Sequence, residues 1–295
     1  MTGAEQGFLL LTSHLGDPEQ KILTISQLRK LAQRVRMMHP EDQNRDLCPE
    51  DLHVLGYDQP MTERILQLLS RQEQLHWYLQ KAVKASCLPI TRISEQYPVR
   101  LRKALGDDSP GCLWAKGDVS LLDMPAVSVV GSRELREENA AFAREAGKQA
   151  ALQGYVLVSG NARGADRQAQ ESCLQWGGRV ISIIADRLEQ YPARENVLYL
   201  SEDGFDLDFT SQRALSRNRL IHAMGSKTFV AQCTYGKGGT WNGTQQNLRY
   251  GWSPVFCFAD KSRAAAELMQ MGAQPVQIGQ LSDLSALTSD SISFL

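Results

Sequence analysis

Four short segments of this chain combine residue types that bind anions. Val130-Gly131-Ser132-Arg133 follows a β-branched run. Its glycine lets the backbone approach a charged oxygen, its serine offers a hydroxyl or a helix cap, and its arginine offers a two-pronged fork for phosphate. Read as structure alone, the same residues make a tight turn with a solvated arginine. Ser159-Gly160-Asn161-Ala162-Arg163-Gly164-Ala165-Asp166 sets glycines around small polar residues. That pattern yields a loop of backbone donors, with Asp166 placed to cap or brace the next helix. An ordinary left-handed turn is the plainer reading. In Leu215-Ser216-Arg217-Asn218-Arg219-Leu220-Ile221, the apolar residues 215, 220 and 221 anchor a helix start and leave Arg217 and Arg219 pointing outward around Asn218. Two guanidiniums flanking an amide suit successive phosphate oxygens, or else form a solvated charged face. The fourth segment, Tyr235-Gly236-Lys237-Gly238-Gly239-Thr240-Trp241-Asn242-Gly243-Thr244, is rich in glycine, which weakens a chain unless its backbone must come close to something. It does not match GxxxxGK[ST], so no ATPase follows, and the first turn is not GxGxxG. Trp241, with Tyr235 beside it, is placed to stack on a base if exposed and to fill the core if buried.

Such turns need a scaffold that brings them together. From Ala126 onward, short continuous apolar runs (126–130, 155–159, 180–184, 228–231, 255–258) alternate with helix-length segments at 137–153 and 166–176. Continuous runs signal strands buried on both faces, hence a mainly parallel sheet with helices on either side. The pattern predicts an α/β, Rossmann-like, doubly wound domain over 126–280, whose strand-to-helix turns gather at the carboxyl ends of the strands. Before it, Ile22, Ile25, Leu28, Leu31, Val35 and Met38 share a helical stripe that His39-Pro40 closes, and the apolar pattern after Pro60 predicts two more helices. Residues 1–95 therefore read as a small all-helical domain that docks on the larger one. The turn-rich stretch 96–125 reads as a connection, and 281–295 as a tail.

At 295 residues, 42% hydrophobic and 22% charged, the chain is large enough for a sizeable core and has ordinary globular composition, excluding a fibrous or disordered chain. No apolar run reaches the ~18 residues that a membrane span needs, so a cytoplasmic protein without a membrane partner is expected. The six cysteines contain no CxxC pair, and His14, His39, His53, His76 and His222 lack ligand-like spacing. Reduced thiols, no metal and no cofactor are expected. The net charge of −1 hides an uneven distribution. Between Phe209 and Ala259 there is no Asp or Glu, against six basic residues: Arg213, Arg217, Arg219, Lys227, Lys237 and Arg249. Such a stretch gives its surface a positive field whatever the total charge, unless Glu134, Glu137 and Glu138 balance it across space.

Taken together, these residues resemble the DNA-processing protein A (DprA/Smf) family. The resemblance rests on Tyr97-Pro98-Val99-Arg100-Leu101, Leu113-Trp114-Ala115-Lys116-Gly117, Gly131-Ser132-Arg133, Ser159-Gly160 with Ala162-Arg163-Gly164 and Asp166, and above all Arg217-Asn218-Arg219-Leu220-Ile221. Asn161, Ala165 and Gln170 depart from the family pattern, as does the loop at Gly238-Gly239-Thr240-Trp241, and no winged-helix segment follows residue 280. The resemblance implies a homodimeric, non-enzymatic protein that binds single-stranded DNA and helps load the RecA recombinase in DNA uptake and recombination. Gly131, Ser132, Arg133, Arg217 and Arg219 would hold phosphates, and Gly160, Arg163 and Gly164 would shape the neighbouring pocket. With Asn218, Lys237, Gly238, Gly239 and Thr240, they make up the expected DNA-binding set. Two alternatives use the same pocket: a nucleotide sensor, and an enzyme similar to the phosphoribohydrolases. The second lacks its carboxylate, because Asn247 stands where a glutamate is needed.

Overall fold

The computed structural model describes residues 1–38 and 45–288. In chain order its helices and strands are α1 (Gly3–Thr12), α2 (Ile25–Val35), α3 (Pro49–Val54), α4 (Gln59–Leu69), α5 (Gln72–Lys84), β1 (Leu88–Thr91), α6 (Val99–Leu105), β2 (Cys112–Lys116), β3 (Ala126–Val130), α7 (Glu137–Leu152), β4 (Val156–Ser159), α8 (Ala165–Gln175), β5 (Arg179–Ile183), β6 (Val197–Glu202), α9 (Ser211–Met224), β7 (Thr228–Val230), α10 (Gly238–Tyr250), β8 (Val255–Phe258), α11 (Arg263–Gln270) and β9 (Gln274–Val276). Among the described residues the strands form one sheet in the order β1-β2-β6-β5-β4-β3-β7-β8-β9. Strands β3 to β9 are parallel.

All five apolar runs are strands, and both helix-length segments are helices. Alternate residues of each strand feed opposite layers. Val127 and Val129 face α7 and α8 through Phe142, Ala146 and Ala169, whereas Ala126 and Val130 face α9 to α11 through Leu220, Met224 and Leu268. The sheet extends further toward the N-terminus than the apolar runs indicate. Residues 96–125, expected as a connection, contribute β2, which pairs antiparallel with β6, and residues 1–95, expected to be all helical, contribute β1 to the sheet, antiparallel to β2. The turn formers at 107–111 and Gly117 are real turns, but they bracket a five-residue strand that is wholly buried.

The N-terminal helices have a small core of their own, including Leu31, Leu52, Ile65 and Leu68. Helix α2 starts at a Thr24 capping box and carries the predicted stripe as far as Val35; His39 and Pro40 lie outside the described residues. The unit docks through α5. Tyr78 packs with Trp114 of β2 and Phe205, ring centroids 4.8–5.2 Å apart. Its hydroxyl donates to Asp206 at 2.6 Å, and Lys81 pairs with the same carboxylate at 2.7 Å. At the other end of the chain, Leu281 and Leu284 are buried against α7, and Lys227 donates to the carbonyls of Leu284 and Leu287.

Strand order decides where a ligand belongs. From β3 the chain first winds outward through β4, β5 and β6, then returns to place β7 on the other side of β3. The turns leaving β3 and β7 thus diverge at a topological switch point, the usual crevice for ligands in open α/β sheets.

Candidate nucleic-acid interface

A cavity of about 510 Å³ opens at this switch point, lined by Gly131, Ser132, Arg133, Arg217, Asn218 and Lys237–Thr240. Two hydrogen bonds hold its walls together. The Thr240 hydroxyl donates to the Gly131 carbonyl at 2.9 Å, and the Asn218 amide donates to the Gly239 carbonyl at 3.1 Å. The glycine loop after β7 is thus fastened to both the β3 turn and α9. Helix α10 begins here with Lys237 at its cap position, and among the described residues no side chain caps its first N–H groups. Those free donors, together with the helix dipole, favour an anion. Arg133 and Lys237 are exposed and form no ion pair among the described residues.

The other predicted arginines are used differently. Arg217 does not point outward: it is only 7% exposed, and its Nη1 donates to the Ile183 carbonyl at 2.8 Å. It lines this cavity and a neighbouring one of about 460 Å³ that also holds Gly160, Arg163 and Tyr191. Burial lowers the Arg217 pKa, while the fields of Asp166 and Asp186 raise it. Arg219 is held through its Nη1 by the buried carboxylate of Glu202 at 2.8 Å and by the Ser216 carbonyl, so its charge is balanced within the protein rather than turned outward. Desolvation pushes the Glu202 pKa up, and Arg219 opposes it. Leu215, expected as an anchor, is exposed, because the buried face of α9 runs through Arg217, Leu220, Ile221 and Met224 instead. The positive stretch is therefore thinner than its basic residues imply. Arg213 is bound to the carbonyls of Ala185 and Leu207, and Lys227 to the tail.

The second glycine loop is also built for packing. A Cβ at Gly160 would overlap the Arg217 guanidinium, and one at Gly164, where φ is +90°, would overlap the backbone of Ser132 and Arg133. The loop's donors are partly consumed internally: Gly160 N–H and Ala162 N–H donate to Asp166 at 3.0 and 3.3 Å. Asp166 therefore braces the loop before its helix. Arg163 reaches solvent beside Glu134 at 3.2 Å, a pair exposed enough to exchange partners freely. Trp241 is buried, so it does not serve as a stacking platform; it is covered edge-on by Tyr235, whose own ring lies under Arg263 at 3.9 Å. His222 is buried against Asn247, and desolvation pushes its pKa down to about 3, leaving it neutral. Asn247 itself donates to Ser253 and accepts from its N–H, facing the core.

One residue of the cavity lip went unrecognised in the sequence. Phe209, 52% exposed, lines both cavities beside Arg133 and Arg217. It stands just ahead of α9, where no periodic pattern marks it, and its only signal is an aromatic opening a run free of carboxylates.

Asp166 gives this site a pH signature. Burial pushes its pKa from 3.8 up to about 6, against the lowering effects of Arg217 and the two N–H donors. An acid whose folded pKa is raised stabilises the fold below its unfolded pKa and loses that contribution as pH climbs through the folded value. Relative to Asp166→Asn, the wild-type protein should therefore lose on the order of 2–3 kcal/mol between about pH 4 and pH 6, with no further change above. Urea unfolding of both proteins across pH 4–8 checks this, and parallel curves would refute it.

A family model described as DNA recombination-mediator protein A matches residues 89–286. DNA processing protein DprA of Bacillus subtilis (strain 168) is 28% identical over 204 residues, 64% of this chain and 67% of that protein. Its counterpart in Streptococcus pneumoniae is 31% identical over 145 residues, 44% of this chain and 50% of that protein. The X-ray structure of DprA from Streptococcus pneumoniae superposes with a TM-score of 0.67 at 25% identity, covering 88% of this chain and 96% of that one. A structure of DNA processing protein A from Helicobacter pylori, described as showing its single-stranded DNA binding mode, has a TM-score of 0.57 at 26% identity, covering 66% of this chain and 94% of that one.

Proposed function

Since this chain belongs to the DNA recombination-mediator protein A family, we propose that it binds single-stranded DNA in the switch-point crevice and delivers it for recombination. The observation that carries this reading is the pairing of two exposed cations, Arg133 and Lys237, which form no ion pair among the described residues, with the uncapped start of α10 in one open cavity. Phosphates would sit among these donors, and the exposed ring of Phe209 offers a surface on which a base can stack without regard to sequence. Arg217 contributes from below, as the buried charge around which the walls are built. Family membership supports RecA recombinase as the receiving partner and a homodimer as the working form. Among the described residues no helix is long and apolar enough to cross a membrane.

A hydrolytic reading finds little support in the same geometry. Asn247 is turned into the core, and Asp166 is engaged with backbone N–H groups and buried beside Arg217. The discriminating experiment measures binding of a single-stranded oligonucleotide, its duplex and a mononucleotide by anisotropy and calorimetry. Single-stranded DNA should bind tightest, with log affinity falling linearly against log salt at a slope of roughly −0.7 per phosphate contacted. A flat salt response, or mononucleotide binding as tight as the oligonucleotide, would overturn the proposal.

A further inference from the structure

The run without carboxylates extends well past the crevice. It supplies the whole of α9 and α10, and these two helices, with Met271 at the end of α11, enclose a further groove of about 680 Å³. Leu215 and Asn218 line both this groove and the crevice, so the two are continuous. The groove floor is amide-rich, with Asn242, Gln245 and Gln246, and it ends at Arg249 and Tyr250. There Tyr250, 61% exposed, stacks on Trp252 with centroids 5.6 Å apart and planes at 18°. Trp252 in turn borders a hollow that contains Arg100 and Lys103. No Asp or Glu lines either hollow among the described residues. The Arg249 guanidinium lies 5.5 Å from the Tyr250 ring centre and pairs with no carboxylate among the described residues.

We propose that the α9–α10 groove is a second stretch of the single-stranded DNA path, leading from the crevice to a stacking platform formed by Tyr250 and Trp252. The inference rests on the crevice binding DNA and adds the direction in which the strand leaves it. Charge favours this occupant: exposed cations, neutral amides and aromatic faces match a polyanion carrying bases, whose recognition by stacking tolerates any sequence. Amides can meet both sugar and base edges without committing to one base. Helix α10 has 13 residues, so at ~1.5 Å per residue the track is about 20 Å long. At ~3.4 Å per stacked nucleotide that adds on the order of six nucleotides to the footprint.

Oligonucleotide length isolates the track. Arg249→Gln and Tyr250→Ala change exposed side chains at the end of α10 and should leave the melting temperature unchanged. Binding of oligo(dT) of 4 and of 16 nucleotides is compared for wild type, each variant and Arg133→Ala. The double variant Arg249→Gln/Tyr250→Ala should bind the 16-mer about tenfold more weakly and the 4-mer within twofold of wild type, whereas Arg133→Ala weakens both. Equal binding of the 16-mer by the double variant and wild type overturns the track while leaving the crevice intact. So does a drop in sedimenting mass of the double variant with unaltered affinity, which would assign this face to a second copy of the chain. Failure of Arg133→Ala to weaken either oligonucleotide removes the crevice itself.

Discussion

Arg217→Ala should lower the melting temperature by roughly 6–12 °C, corresponding to about 3 kcal/mol in a chain of this size. The side chain is buried between two cavities, with Nη1 bound to the Ile183 carbonyl and Gly160 kept bare to make room for it. Truncation leaves that carbonyl unpaired and opens a void under the second glycine loop, and both effects belong to the short list of causes of large destabilisation. It also removes the positive field that counteracts the burial of Asp166. The Asp166 pKa should then rise further, moving the pH-dependent loss of stability upward. Arg217→Lys should rescue little, since an ammonium lacks the planar fork that reaches the carbonyl while lying against Gly160. Thermal unfolding followed by circular dichroism decides the matter. A variant that melts with the wild type, yet no longer binds DNA, would restore Arg217 to the role of a simple phosphate ligand.

The different fates of the arginines show what the sequence holds and what it does not. Helical phase alone places Arg217 inside: with Leu220, Ile221 and Met224 it forms an i, i+3, i+4, i+7 stripe, whereas Leu215 falls off that stripe. Reading leucines as anchors and arginines as outward points overrode a periodicity that was present. The same rule places Trp241 with Thr244 and Asn247 on the buried face of α10. The pairing of Arg219 with Glu202 was not available in this way. It depends on β6 lying beside β5 so that its last residue reaches α9, a long-range fact without local signature. Sheet membership divides along similar lines. Central strands such as β3 and β4 are buried on both faces and read as continuous apolar runs, whereas β1, with an exposed Leu88, and β9, with Pro275 in its middle, are edge strands whose composition carries no such run. The β3 turn and the β7 glycine loop meet in one crevice because their proximity follows from strand order at a switch point rather than from any one side chain.

The paired variant Arg133→Ala/Lys237→Ala should bind single-stranded DNA about a hundredfold more weakly than wild type. Each cation contributes a charge-assisted contact worth roughly 1.5 kcal/mol or more, and about 1.4 kcal/mol is tenfold in affinity. Because both side chains are exposed and form no ion pair among the described residues, their removal breaks no buried hydrogen bond there, and the melting temperature should stay within about 2 °C of wild type. That contrast with Arg217→Ala separates contact with DNA from support of the walls. Salt supplies the mechanistic signature: if two phosphate contacts are lost, the slope of log affinity against log salt should become shallower by about 1.4. Single variants should each account for near half of this, since the two residues approach the cavity from different turns and share no partner. Anisotropy titrations at four salt concentrations on the wild type, the two single variants and the pair provide the measurement. A pair whose affinity drops while its slope matches wild type would mean that these cations order the crevice rather than meet the backbone of the strand. Phe209→Ala provides the complementary control, because a stacking contact carries no counterion release: it should weaken binding while keeping the wild-type slope.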